Sequence, residues 1–383
     1  MKLKPCLLLL PTLLLAACGG GGHGHDNDTP TANIAVVAAR AGDYSSGAVS
    51  LVERTAPFTA HNNLNATVSD IAVRADGDHF FMLRKFGSNQ ISRYETATPT
   101  TATYTYSTND DDGLDSNPYD IVVASPSKAY LLRYGSGKLW IVDPSASDEA
   151  DFKTGEIDLS AYDADGVPEM SAGLIRDGKL YVALQRLQNF AATQNGHVVV
   201  IDIASDAVEQ DIELPVRDPV RLLALPDSDD LLVVADGGYD GAFGTQYDGG
   251  IVRLDPIAGS ATLQIDDGDA ETHLYGTFVD AVIADGHRAY LIGSNGFGDT
   301  ANSLYRFDPA SDAAPLAVDG FTDGDFGSLA VDPDGQLWIA RTSAAAPGLT
   351  VLGFDGDSET VDSALIDTVL APINVDFGYA PGE

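Results

Sequence analysis

Between Asn117 and Pro144 the chain reads NPYDIVVASPSKAYLLRYGSGKLWIVDP, and its apolar positions divide it into three strands. DIVV is a continuous apolar run, KAYLLRY and KLWIVD alternate with a period of two, and the segment stops at Asp143-Pro144, a turn signal. The unit recurs. Copies open at Asp70, Asp120, Ser171, Arg221, Asp280, Ser328 and Asp376, so successive copies begin 50, 51, 50, 59, 48 and 48 residues apart. That period is one four-stranded blade of a β-propeller, and seven copies predict an all-β, seven-bladed ring. Too few residues follow Asp376 to build a blade, whereas NIAVVAAR (33–40) and GAVSLVER (47–54) precede the first copy without a first strand of their own. Pairing INVDFGY (373–379) with them completes one blade from both ends of the chain and leaves no open sheet edge. Helical periodicity is absent over any stretch of eleven residues, and Gly, Asp and Pro recur every few positions. Two stacked β-sandwiches are the alternative, and the near-constant period argues against them.

The segments VASPSKAYLL, IRDGKLYVALQ, VVVIDIAS and VDPDGQLWIA add a resemblance to this reading. They are similar to the repeats of the YncE-like seven-bladed propellers, in which a P-x-x-I-x-V strand, an SPDGK-type turn, LYVAN and VIDxxT follow one another. The resemblance covers residues 68 to 379. It implies the fold and does not name a ligand.

The first 17 residues carry Lys2 and Lys4 and then CLLLLPTLLLAA, an apolar stretch too short for a permanent span, which reads as an export signal. Leu15-Ala16-Ala17-Cys18 resembles the bacterial lipobox. That resemblance implies cleavage before Cys18, lipidation of its sulfur and, with Gly19 next, an outer-membrane address facing either the cell surface or the periplasm. Residues 18–32 then form a Gly-rich tether in which His23 and His25 read as solvated linker, and residues 33–383 form the propeller. Loss of the signal leaves Cys18 as the single cysteine, which excludes a disulfide and a Cys-based metal site. It also takes the formal charge from −36 to −38, a surface that repels nucleic acid and anionic lipid, so membrane contact is expected through the anchor alone. The charge itself reads as a solubility feature.

In such a ring the connections after strand b and after strand d open on one face. The long insertions fall there: 185–196, 236–250 and 293–303, in three consecutive blades, while the turns on the other face stay short. These loops carry Phe190, Tyr239, Phe243, Tyr247 and Phe297, rings suited to stacking on a flat ligand. Arg84, Arg133 and Arg341 recur at the end of strand b, with Arg186 one residue past the matching place; Lys85 and Arg221 extend the set. Two readings follow: a positive patch that takes carboxylate or phosphate, or ion pairs to Asp70, Asp120, Asp280 and Asp376 that tie blade to blade. Glu169, with Asn117 and Asn374 near equivalent places, is a candidate Ca²⁺ ligand at the channel mouth. A similar Glu and Asn/Asp set holds the metal in lactonase-like propellers, and only Glu169 matches.

Nucleophile elbows, HExxH and dinucleotide fingerprints are missing, and the histidines of the repeat region are scattered. The sequence therefore favours a non-catalytic, lipid-anchored propeller that needs no cofactor and captures a small molecule or an envelope protein at the loop face. In anchor and blade count it resembles the cobalamin- and iron-chelate-capturing surface lipoproteins that sit over TonB-dependent transporters, which makes such a transporter an expected partner. A Ca²⁺-dependent lactonase and a scaffold for envelope assembly are the alternatives.

Overall fold

A computed structural model describes residues 32–111, 113–296 and 301–381. Seven four-stranded antiparallel sheets follow one another around a ring. Blade 1 is Ile71–Asp76, His79–Arg84, Gln90–Glu95 and Ala102–Ser107, labelled a to d from the axis outward. Blade 2 opens at Pro118–Ser125, blade 3 at Met170–Arg176, blade 4 at Pro219–Ala224, blade 5 at Thr277–Asp285 and blade 6 at Phe326–Val331. The seventh blade joins both ends of the chain: Ala371–Gly378 is its strand a and pairs with Ile34–Arg40, followed by Gly47–Glu53 and the short Ala60–His61. The predicted ring closure is thus present. Among the described residues helix is confined to single turns at Glu149–Phe152 and Ser160–Tyr162.

Alternation places every second side chain of a strand between its own blade and the next. Seven apolar clusters result, one at each junction. Blades 6 and 7 meet through Trp338, Val351 and Val375, and blades 3 and 4 through Tyr181, Val198, Leu222 and Val233. Trp140 and Trp338, read from sequence as packing residues, are both buried.

Six of the seven a–b pairs contain a bulge near the start of strand a, and blade 1 does not. The bulge corrects the alignment of the copies. The first paired residue of strand a beyond the bulge is Asp120, Ala172, Arg221, Asp280, Ser328 or Asn374, and Ala72 holds the matching place in blade 1. Asp70, Ser171 and Asp376 are therefore displaced from the place the spacing gave them.

Candidate functional site

The seven a strands enclose an axial cavity of about 380 Å³. Two arginines brace it. Arg74 of blade 1 forks onto Asp120 of blade 2 at 3.0 and 2.6 Å and reaches Asp376 of blade 7 at 3.6 Å. Its pKa is raised, chiefly by the Asp120 charge. Arg221 of blade 4 pairs with Asp280 of blade 5 at 2.5 Å and donates to the Leu329 carbonyl of blade 6 at 3.1 Å. The carboxylates also cap the free inner edge of the following strand. Asp376 accepts from Ala75 N at 2.9 Å, and Asp280 accepts from Leu329 N at 2.8 Å. Inner-edge N–H groups with no neighbouring strand need such acceptors.

At the loop-face mouth the chain repeats one device. The carbonyl just ahead of strand a accepts the amide just past strand b: Asp70 from Lys85, Asn117 from Tyr134, Glu169 from Gln185, Asp218 from Asp236 and Asp325 from Thr342. Asn117, Glu169 and Asp218 adopt φ of 44°, 47° and 56° to do so, a left-handed conformation that Asn and Asp tolerate and Glu rarely adopts. Side chains of this rim touch in sequence across three blades. Lys85 Nζ lies 4.0 Å from the Tyr119 ring centroid, Tyr119 stacks on Tyr134 at 4.4 Å, and Tyr134 donates to Gln185 Oε1 at 2.6 Å. Burial lowers the Lys85 pKa and raises that of Tyr119 to about 12.

Beyond Gln185 the rim is acidic. Glu169 accepts the Leu187 amide at 2.9 Å, and burial pushes its pKa up to about 8. Asp218 and Asp236 are neighbours, and the charge of one disfavours ionisation of the other. Burial raises both, Asp236 to about 6. The loops after strand b of blades 3 and 4 close over this pair: Ala192 N donates to Tyr239 O at 3.0 Å, and Arg217 holds Asp248 at 2.8 Å. Gly238, at φ +70°, makes the closure possible, since a Cβ there would lie 2.5 Å from Ala192 Cβ and 2.7 Å from Asp218 Oδ2.

These shifts set a pH dependence. Unfolded carboxyls titrate near pH 4, whereas in the ring Asp236, Asp267 and Glu169 keep their protons to about 6, 7 and 8. The folded state therefore binds more protons than the unfolded state across that window, and stability falls as pH rises through it. Calorimetry is expected to show Tm declining from pH 5 to pH 8.5. Glu169→Gln keeps an acceptor for Leu187 and flattens the upper part of the decline. An identical slope in the variant would show that Glu169 does not titrate there.

The sequence-nominated residues occupy separate places. Arg84 donates to the hydroxyls of Thr67, Ser92 and Tyr94. Arg133 is 1 % exposed and bound to Asp110, while Arg186 donates to the carbonyls of Tyr162 and Asn195. Of the five nominated arginines, Arg221 alone lines the axial cavity, and Arg341 lines a different recess. Lys85 and Arg221 line the axial cavity, but Arg84, Arg133, Arg186 and Arg341 do not join them: Arg84 and Arg341 reach hydroxyls of strand c in their own blades, and Arg133 reaches Asp110. The inter-blade ion pairs do form, carried by Arg221 and by Arg74, which the sequence reading passed over. Tyr247 stacks on His273 at 4.1 Å, Phe243 is exposed at its loop tip, and Phe297 and Cys18 lie outside the described residues. Asn374 caps Val73 N at 2.7 Å and does not join Glu169. Among the described residues no three carboxylate, imidazole or thiol groups converge to hold a metal ion.

The two faces differ most in what they expose. Tyr44, Phe86, Phe190 and Phe243 project from loops after strand b, and Val68, Leu114, Leu274 and Val369 from connections after strand d. All eight therefore lie on the loop face. Of the 14 large apolar side chains exposed among the described residues, Ile257 alone sits on the opposite turns.

Comparison with solved structures agrees on the fold. The chain is similar to a candidate 6-phosphogluconolactonase of Bacteroides fragilis, with 12% identity over 91% of this chain and 99% of that one and a TM-score of 0.59. It is also similar to hydrazine synthase of Kuenenia stuttgartiensis (16% identity, 74% and 76% coverage, TM-score 0.55) and to a streptogramin B lyase (13%, 82% and 92%, 0.51). At these identities the likeness defines a β-propeller and no activity. No family model matches the chain, and no curated protein matches it in sequence.

Proposed function

We propose that this protein is a non-catalytic envelope lipoprotein whose propeller docks another envelope protein, such as a TonB-dependent outer-membrane transporter, through its loop face. The observation that carries this reading is the one-sided distribution of exposed apolar side chains, four of them aromatic, on a strongly acidic particle. Exposed apolar groups gathered on one face mark an interaction surface, and aromatic rings are enriched in such surfaces. Their spread over the loops of several blades suits a protein-sized partner better than a small molecule.

The chain's entry point supports the same reading. Asn33 N donates to Gly378 O at 2.9 Å, and Arg54, which donates to the Ala32 carbonyl, also pairs with Asp332 and Asp334 in the a–b turn of blade 6. Ala32 therefore lies on the turn face. The chain thus enters the ring on the face opposite the exposed apolar side chains.

Blue-native separation of detergent-solubilised envelopes tests both parts. The wild type is expected in the membrane fraction as a complex larger than the monomer. Cys18→Ser moves the protein to the soluble fraction. Phe86→Ser with Phe190→Ser and Phe243→Ser leaves it membrane-bound but monomeric, and Ile257→Ser changes nothing. A complex that survives the triple substitution would exclude the loop face as the docking surface.

A further inference from the structure

Blade 6 holds a recess of about 420 Å³ distinct from the axial cavity. Asp323 and Asp325 reach it from the connection that enters the blade, Arg341 from the end of strand b, Ser343 and Ala346 from the following loop, and Leu365 from strand d. The volume falls within the range of small-molecule sites.

Its charges are unspent. Among the described residues Arg341 has no carboxylate within the 4.0 Å of an ion pair, whereas Arg54, Arg74, Arg133 and Arg221 all do. Its Nη1 makes one long hydrogen bond, 3.4 Å, to Thr350 Oγ1, and its buried Nε meets no acceptor. The Phe326 ring, 4.9 Å from the guanidinium carbon, holds the group in place. Asp323 and Asp325 are likewise outside every ion pair of the described residues while lining the same space. Groups of opposite charge that face a common recess without touching are suited to a molecule that carries both signs. A simple carboxylate would meet two aspartates, and a simple amine would meet the guanidinium.

From this arrangement we infer that the blade 6 recess binds a small zwitterion of the α-amino-acid type. The ligand carboxylate lies on the Arg341 fork, its ammonium between Asp323 and Asp325, and a short apolar side chain against Ala346 and Leu365. Arginine suits the first role because its planar donors match a carboxylate pairwise, which lysine cannot do. The inference goes beyond the docking reading and does not rest on it.

Isothermal titration of the full-length protein with glycine, L-alanine and L-leucine, and separately with acetate and methylammonium, tests it. At least one amino acid is expected to bind saturably, with both half-ligands at least about tenfold weaker. Arg341→Lys, which keeps the charge and the fold, weakens amino-acid binding by about tenfold or more, and Asp325→Asn weakens it as well. Melting curves superimposable on the wild type confirm that the variants are folded. The inference is overturned if none of the three amino acids binds at about 1 mM, if Arg341→Lys binds as the wild type does, or if acetate binds as tightly as the amino acid.

Discussion

A chain ending at Thr368 is expected not to reach a cooperatively folded state. The lost segment is strand a of blade 7, which pairs along its length with Ile34–Arg40. Asn374 and Asp376 cap Val73 N and Ala75 N of blade 1, and Phe377 sets its ring edge to face against Trp338 of blade 6 at 5.6 Å. Its removal strips both neighbouring junctions, uncovers an inner strand and leaves Arg74 without one of its two carboxylates. Each blade alone buries too little apolar surface to stand without its neighbours, and the loss exceeds the ~5–15 kcal/mol that holds a typical domain folded. Circular dichroism during heating is expected to show no sharp transition for the truncated chain. A transition within a few degrees of the wild type would mean that the ring does not depend on its closing strand.

Arg133→Ala is expected to be the most damaging single substitution among the arginines that the sequence nominates. The side chain is fully buried, donating to Asp110 at 2.9 Å, the Thr108 carbonyl at 2.9 Å and Ser136 Oγ at 3.2 Å, with its guanidinium 4.3 Å from the Trp140 ring. Truncation leaves a void under Trp140 and a carbonyl without its donor. Breaking a buried pair from one side costs about 3–5 kcal/mol, a fall in Tm on the order of 5–10 °C in a domain of this size. Arg133→Ala paired with Asp110→Asn should be less destabilising than the sum of the two single changes, because each single change already removes the Arg133–Asp110 contact, while Lys153 stays 2.8 Å from residue 110. Strict additivity would show that the two groups do not interact.

The architecture was legible because each strand carries its own signal. Alternation in KAYLLRY and KLWIVD marks strands b and c, Asp143-Pro144 marks the turn, and strands left over at each end have no partner except one another. The placement of site residues was less legible for a specific reason. A bulge inserts one residue near the start of strand a in every blade but the first, and one residue turns a side chain to the opposite surface. Spacing alone thus put Ser171 at the position that Ala172 occupies, set Asp70 and Asp376 two residues away from Ala72 and Asn374, and hid Arg74, whose partners Asp120 and Asp376 lie 46 and 302 residues away. Apart from Glu169, the rim acids escaped notice for a related reason. Asp218 and Asp236 read as ordinary Asp-rich loop residues until the fold brings them together beneath two loops.

The most direct test of the loop face as the recognition surface is site-specific photo-crosslinking in intact cells. A benzophenone amino acid is introduced in turn at Phe190, at Phe243 and at Ile257. The first two positions are expected to yield the same discrete adduct of higher mass, and Ile257, on the turn face, none. An adduct from Ile257 alone, or no adduct from either loop position, would contradict the account.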